Sequence, residues 1–377
     1  MDIHYLDNAA TTQVSPNAAQ KALEMMTVTY GNPSSLHKKG IEAETQVEKA
    51  RSVIASSLGA EEKNLFFTSG STESNNTVLF GAANARKRDG SRIIVSAIEH
   101  PSVYESAKEL QKRGWDVQFA PTDASGTVVL SELERLLTDD TVLVSIMAVN
   151  NETGAIQPSE QIGRLVKKKT NAYYHVDAVQ AYGKTPVRPK KWQADFLSVS
   201  AHKVHGPKGV GALYIADKAR LTPLLYGGEQ QKKIRPGTEA APLIVSFGAA
   251  VEEFEIEKNL AAVKALDYYS LSELKAIDGI RINSSEDALP YVLNFSAEGI
   301  RSETMLHFLE ERGVYVSSSS ACAKGKRSYV LKAMGLSDSR IDSSIRVSFS
   351  KYNDKNDVDA LIQGLKDGVG TLQRIHR

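Results

Sequence analysis

The chain has 377 residues, with 46 lysines and arginines against 45 aspartates and glutamates. That balance leaves no electrostatic footprint for nucleic acid or an anionic membrane, so a small-molecule substrate is expected. The length exceeds one ordinary core and predicts one large and one smaller domain, while a single cysteine, Cys322, excludes an internal disulfide and any multi-cysteine metal site.

The first residues, Met1 to Asp7, show neither a basic stretch followed by an apolar run nor an arginine-rich amphipathic pattern. No apolar segment is long enough to cross a bilayer, and a cytoplasmic, soluble protein is expected. Leu6 to Thr12 is irregular and small-residue-rich, and Ser15 before Pro16 reads as a helix N-cap with proline at the first helical position. That helix should run toward Tyr30. After the turn-rich Gly31 to His37, a second helix with Ile41, Val47, Ile54 and Leu58 on one side is expected to end at Gly59.

From Asn64 onward, short apolar runs alternate with helical patterns. The runs are Leu65 to Thr68, Arg92 to Ser96, Asp116 to Ala120, Val142 to Val149, Ala172 to Val176 and Phe196 to Val199. This alternation predicts βα units and an α/β domain with a mainly parallel, doubly covered sheet. Between the strands, Pro101 opens a helix that Gly114 closes, and Ser131 with Glu134 reads as a capping box. Beyond Ile215 the alternation fades into the polar loop Tyr226 to Thr238. A long helical pattern from about Ala241 to about Leu274 then leads into a smaller α+β domain, with strands near Ile280 to Ile282, Tyr291 to Phe295 and Ile345 to Ser348.

Ligands of such sheets gather where strands end and helices begin, so the residues just after each apolar run are the candidates. The first run is followed by Ser69 to Asn76, whose hydroxyls and amides at a helix start suit a phosphate, although serine and threonine there are also ordinary caps. The second places His100 at the rim, either as a ring-stacking group or as a turn residue. The fifth ends at Asp177, with Gln180 three residues on; the aspartate is either a helix cap or the partner of a protonated ring nitrogen. The sixth ends at Ser200, ahead of His202 and Lys203.

Ser200 to Gly211 has two readings. In one it is a hairpin, with Gly206, Pro207, Gly209 and Gly211 as turn residues and Lys203 solvated. In the other, Lys203 is an amine held in a cleft that forms a Schiff base with a carbonyl, of which pyridoxal phosphate is the usual one. A phosphate cradle, a stacking group, a pyridinium partner and a lysine at separate strand ends favour the second.

Taken together, nine motifs in order carry a resemblance: Leu6-Asp-Asn-Ala-Ala-Thr-Thr12, Asn32-Pro-Ser-Ser-Leu-His37, Thr68 to Asn76, Glu99-His-Pro101, Val149-Asn-Asn-Glu-Thr-Gly154, His175-Val-Asp-Ala-Val-Gln180, Ala201-His-Lys203, Arg235-Pro-Gly-Thr238 and Ser320-Ala-Cys322. The chain resembles the class V aminotransferase-fold cysteine desulfurases of the nitrogen-fixation and iron-sulfur-cluster type. The resemblance implies the fold type I architecture of pyridoxal phosphate enzymes and a homodimer with active sites at the subunit interface. It implies that L-cysteine becomes L-alanine while the sulfur passes, as a persulfide on Cys322, to an acceptor protein such as an iron-sulfur scaffold or a thiolation enzyme. By motif, Lys203 matches the Schiff-base lysine, Asp177 the partner of the pyridine nitrogen, Gln180 the contact to the ring oxygen and His100 the stacking residue. Ser71, Thr72, Ser200 and His202 match the phosphate positions, Thr238 a contact supplied from the partner subunit, and Asn151 and Arg346 the clamp on the substrate carboxylate. No metal is implied. Residues 1–15 are expected to pack with the small domain, 16–255 to form the cofactor-binding domain, and 256–377 to form the small domain carrying the cysteine loop. Lys324, Lys326 and Arg327 near Cys322 should favour its thiolate. A selenocysteine lyase, or another pyridoxal enzyme of this fold, is the alternative.

Overall fold

The computed structural model describes residues 2–318 and 327–372. After the short strand β1 (His4–Tyr5), the Ser15 hydroxyl accepts from the Ala18 N–H at 3.3 Å and caps helix α1 (Pro16–Thr27), as its sequence predicts. In helix α2 (Lys38–Ser57), Val47 and Ile54 are buried, as is Leu58 just beyond it, but Ile41 is exposed, against the expectation for that face. The alternating region follows as β2 (Leu65–Thr68), α3 (Ser71–Arg86), β3 (Arg92–Ser96), α4 (Pro101–Lys112), β4 (Asp116–Ala120), α5 (Leu130–Leu136), β5 (Thr141–Ser145), α6 (Ser159–Lys169), β6 (Tyr173–Asp177), β7 (Phe196–Ser200) and β8 (Gly211–Ile215).

Among the described residues these strands form a seven-stranded sheet in the order β2-β8-β7-β6-β5-β3-β4. Every pair is parallel except the two made by β8, which runs against both β2 and β7. The strands Thr141–Ser145 and Phe196–Ser200 are buried at every position, which is why they read as continuous apolar runs rather than as alternation. The carboxyl ends of β2, β3, β5, β6 and β7 all reach the same edge.

Downstream come α7 (Ala241–Glu252), α8 (Ile256–Lys275), β9 (Ile280–Ile282), β10 (Val292–Ala297), α9 (Ser302–Glu310), β11 (Val314–Tyr315), β12 (Ser317–Ser318), α10 (Tyr329–Ala333), α11 (Asp338–Asp342), β13 (Ser344–Ser348) and α12 (Lys355–Thr371). Here a four-stranded antiparallel sheet, β12-β13-β10-β9, replaces the parallel one. Strand β1 pairs in parallel with β11, Asp7 bridges Ser348, and the Thr12 N–H donates to the His202 carbonyl at 2.8 Å. The first dozen residues therefore lie between the antiparallel sheet and the edge of the large one.

Two further local expectations fail. The helix expected to be capped by Ser131 starts at Leu130, so Ser131 falls inside it, and Val129 at the cap position supplies no side-chain bond. The long pattern from Ala241 is two helices, because tertiary contacts interrupt it: Glu253 accepts from Ser15 and Lys351, and the Phe254 ring lies 5.2 Å from Tyr182, edge to face.

Candidate active site

Asp177 ends β6 with 4 % of its surface exposed. Such a carboxylate needs donors, and it has them: Asn75 Nδ2 donates to Oδ2 at 2.8 Å and the Val179 N–H to Oδ1 at 3.1 Å. The same Asn75 amide donates to Ser102 Oγ at 2.8 Å, and Ser102 Oγ lies 2.8 Å from His100 Nδ1. His100 caps α4 by accepting from the Ser102 N–H. Burial, reinforced by Lys203 and opposed by Asp177, pulls its imidazole below the ordinary histidine range, so the ring is neutral near pH 7. Asn75 is a member of the site that motif reading left without a role; its Oδ1 is buried without a partner.

Glu99, beside His100, is fully buried. Its Oε1 accepts from Ser96 Oγ at 2.5 Å and the Met147 N–H at 2.8 Å, while Oε2 has no partner, and burial pushes the carboxyl up to about 8. A protonated, neutral acid therefore underlies His100.

Lys203 closes a short helical turn after β7, and β7 and β8 do pair as a hairpin around it. The backbone is thus the hairpin of the first reading, but the lysine is held by carbonyls and is not solvated. Its Nζ donates to the Ala9 and Ala10 carbonyls at 2.6 and 2.7 Å. Gln180 Nε2 donates to the same Ala9 oxygen at 3.0 Å, and Gln180 Oε1 accepts from Lys184 Nζ at 2.9 Å. Burial, with the nearby Lys203 and Arg346 charges, pulls the Lys184 amine down to about 7. His202 Nδ1 lies 3.3 Å from Thr11 Oγ1, and burial among Lys203, Lys208 and Lys184 holds its ring near pKa 4.

On the opposite wall, Arg346 rises from β13, 8 % exposed. It donates through Nη1 to the Asn151 carbonyl at 3.0 Å and through Nη2 to Asp7 Oδ1 at 2.7 Å, leaving Nε buried and unpartnered. Asn151 thus meets Arg346 through its backbone, and Asp7 is an ion-pair partner that motif reading did not single out. The next residue, Glu152, accepts from Ser328 Oγ at 2.6 Å, and burial pushes its carboxyl up to about 7 against the pull of Arg346.

Whether these residues suit pyridoxal phosphate can be tested on the β2 to α3 turn. Gly70 occupies the cap position of α3 at φ 149°, open only to glycine, and no side chain caps the helix. The N–H groups that begin with Ser71 and Thr72 are left for an anion, and a Cβ on Gly70 would stand 3.9 Å from Ser200 Oγ, so the ends of β2 and β7 converge there. An uncapped helix start, a buried carboxyl group at Asp177 and an amine at Lys203 fit the phosphate, ring nitrogen and aldehyde of that cofactor. Thr238 is exposed on the loop before α7, and Cys322 lies outside the described residues.

Comparison with known proteins follows the same lines. The aminotransferase class-V family matches residues 4–361. The chain is 41 % identical to "Cysteine desulfurase 2" of Trichormus variabilis over 100 % of its own length and 95 % of the relative's. A solved structure titled "NIFS-like protein" superposes with a TM-score of 0.94 at 39 % identity, covering 99 % of this chain and 100 % of the other. Another, "SspA in complex with cysteine", gives a TM-score of 0.84 at 33 % identity over 93 % of this chain and 100 % of that one.

Proposed function

The chain belongs to the class-V aminotransferase family, and on that premise we propose that it is a cysteine desulfurase dependent on pyridoxal phosphate. It converts L-cysteine to L-alanine and passes the sulfur, through a persulfide on Cys322, to an acceptor protein for iron-sulfur cluster assembly or thiolation. The observation that carries this reading is the gathering of Asp177 and Lys203 about His100, and of Lys203 and Arg346 about Lys184, in a chain similar along its whole length to proteins named for that activity.

Bound there, pyridoxal phosphate supplies an electron sink for charge developing at the substrate α-carbon. Asp177, held in place by Asn75 and the Val179 amide, is the carboxyl group that would face the ring nitrogen and keep it protonated. Lys203 would hold the cofactor through its amine, and the same amine, placed over the substrate α-carbon, would serve as the base that moves the α-proton. The Arg346 guanidinium takes the substrate carboxylate, a task its planar fork suits. The neutral His100 ring adds no charge beside the cofactor. The Cys322 thiolate attacks the substrate sulfur; a sulfur–sulfur bond forms as the carbon–sulfur bond breaks with its electron pair left on the β-carbon side, and protons taken up at the β-carbon and returned to the α-carbon complete alanine. Exposed Thr238 serves a second copy in a homodimer, residues 16–255 hold the cofactor, and the enzyme works in the cytoplasm.

The test is mass spectrometry of the intact protein after incubation with L-cysteine. One added sulfur on Cys322, with alanine released, is expected; Lys203→Ala should be colourless and inert, whereas Cys322→Ala should stay yellow and release no alanine. A wild-type protein that remains colourless with pyridoxal phosphate, or forms alanine without Cys322, would refute the proposal.

A further inference from the structure

Lys184 has no part in the chemistry above, yet it is only 6 % exposed and lines the same cavity as Lys203. The preceding Gly183 has φ 72°, and a Cβ there would lie 2.8 Å from both Phe254 and Val204, so the backbone passes too close to its neighbours for any other residue. Lys184 emerges from this pinch facing inward. Burying a lysine is costly unless the amine is paired. Among the described residues no carboxylate forms an ion pair with it; its Nζ meets Gln180 Oε1 at 2.9 Å and faces the Tyr291 ring at 5.9 Å.

That arrangement leaves Gln180 one choice. A side-chain amide can turn end for end, and its orientation is decided by what stands on either side. Lys184 offers only donors when protonated, and the Ala9 carbonyl, 3.0 Å from Gln180 Nε2, offers only an acceptor. Reversal would set N–H against ammonium and oxygen against oxygen. The Ala9 carbonyl is also the oxygen that receives Lys203 Nζ at 2.6 Å, so one chain of contacts runs from Lys184 through Gln180 and Ala9 to Lys203.

We propose that Lys184 is a positioning residue that locks the Gln180 amide with its N–H edge toward the Ala9 carbonyl, and thereby sets the arrangement that Lys203 and Gln180 present to the cofactor. The inference rests on Lys203 being the lysine that captures pyridoxal phosphate.

A double-mutant cycle on the apoprotein tests it. Wild type, Lys184→Met, Gln180→Ala and the double variant are titrated with pyridoxal phosphate, recording affinity, the wavelength of the yellow band and the melting temperature. Lys184→Met should weaken cofactor binding about tenfold when Gln180 is present and less than about twofold when it is not, because residues acting through one another are not additive. The band should move in Lys184→Met and not move further in the double variant, a change that general loosening does not produce. Equal losses in both backgrounds, or no loss in either, would overturn the proposal. Should Lys184→Met not fold, Lys184→Gln is taken through the same cycle with the same two outcomes. If wild type itself takes up no pyridoxal phosphate, the parent reading fails, and that result is distinct from an intact chromophore indifferent to Lys184.

Discussion

The two walls of the cleft are braced differently. On the large-sheet wall, Asp177 is held by a neutral amide and a backbone N–H, and the hydrogen bonds continue through Ser102 to His100, all within the βα units. On the small-sheet wall, Arg346 is held by a carboxylate, Asp7, from the far end of the sequence and by the Asn151 carbonyl. The first brace sets no opposing charge beside Asp177; the second sets a carboxylate against Arg346, which in the proposed function must receive the substrate carboxylate. On the proposed function, one wall is therefore a finished mould, and the other a contact that the substrate would compete to enter.

Mutations can separate the two. The largest effect falls on Arg346→Ala, which should lower kcat/KM by ~2 to 5 kcal/mol, mostly through KM, as measured by alanine release against cysteine concentration. Asn75→Ala removes the donor to Asp177 and should weaken pyridoxal phosphate binding by about 1.5 to 3 kcal/mol, the range for a hydrogen bond to a charged group, read by spectral titration of the apoprotein. Asp7→Asn removes a competitor instead of a support: KM for cysteine should fall about threefold while the melting temperature also falls, because a buried guanidinium loses its counter-charge. A rise in KM would show that Asp7 holds Arg346 in place and does not compete with substrate.

The smallest and most specific effect concerns Glu99. Its carboxyl is raised to about 8 when folded and returns to the ordinary carboxylate range when unfolded. The folded state therefore binds more protons between those values, and stability falls as pH rises through that window. Glu99→Gln removes this loss, so its melting temperature relative to wild type should climb steadily from about pH 5 to pH 8. A pH-independent difference would place the Glu99 proton elsewhere.

The large-sheet wall was legible in the sequence because apolar runs mark buried parallel strands, and the polar residue after each run, Asp177, Ser200 or His100, falls on the ligand-binding edge. Gln180 is near its expected place but hydrogen-bonds the Ala9 carbonyl, a partner that no local pattern announces. Asn75, Glu99, Asp7 and Lys184 were not singled out for a common reason. Each depends on packing or partners from elsewhere in the chain: Asn75 lies 102 positions from Asp177, Asp7 339 from Arg346 and Glu99 48 from Met147, while Lys184 is buried by contacts its own sequence does not reveal. Lys184 in particular looks like a surface lysine until Phe254 and Val204 are seen to close over Gly183. Ser131 failed in the opposite sense, since a valid capping pattern lost to a helix that begins one residue earlier.

The pairing of His4 with Val314 also bears on how the protein is made. Residues 4 to 9 leave the ribosome well before their partners in β11 and β13, so that segment waits for them while the intervening chain is made. The Ala9 carbonyl cannot receive the Lys203 amine stably until then. Competence to take up cofactor should accordingly appear late and abruptly on the nascent chain, after the large sheet itself has formed.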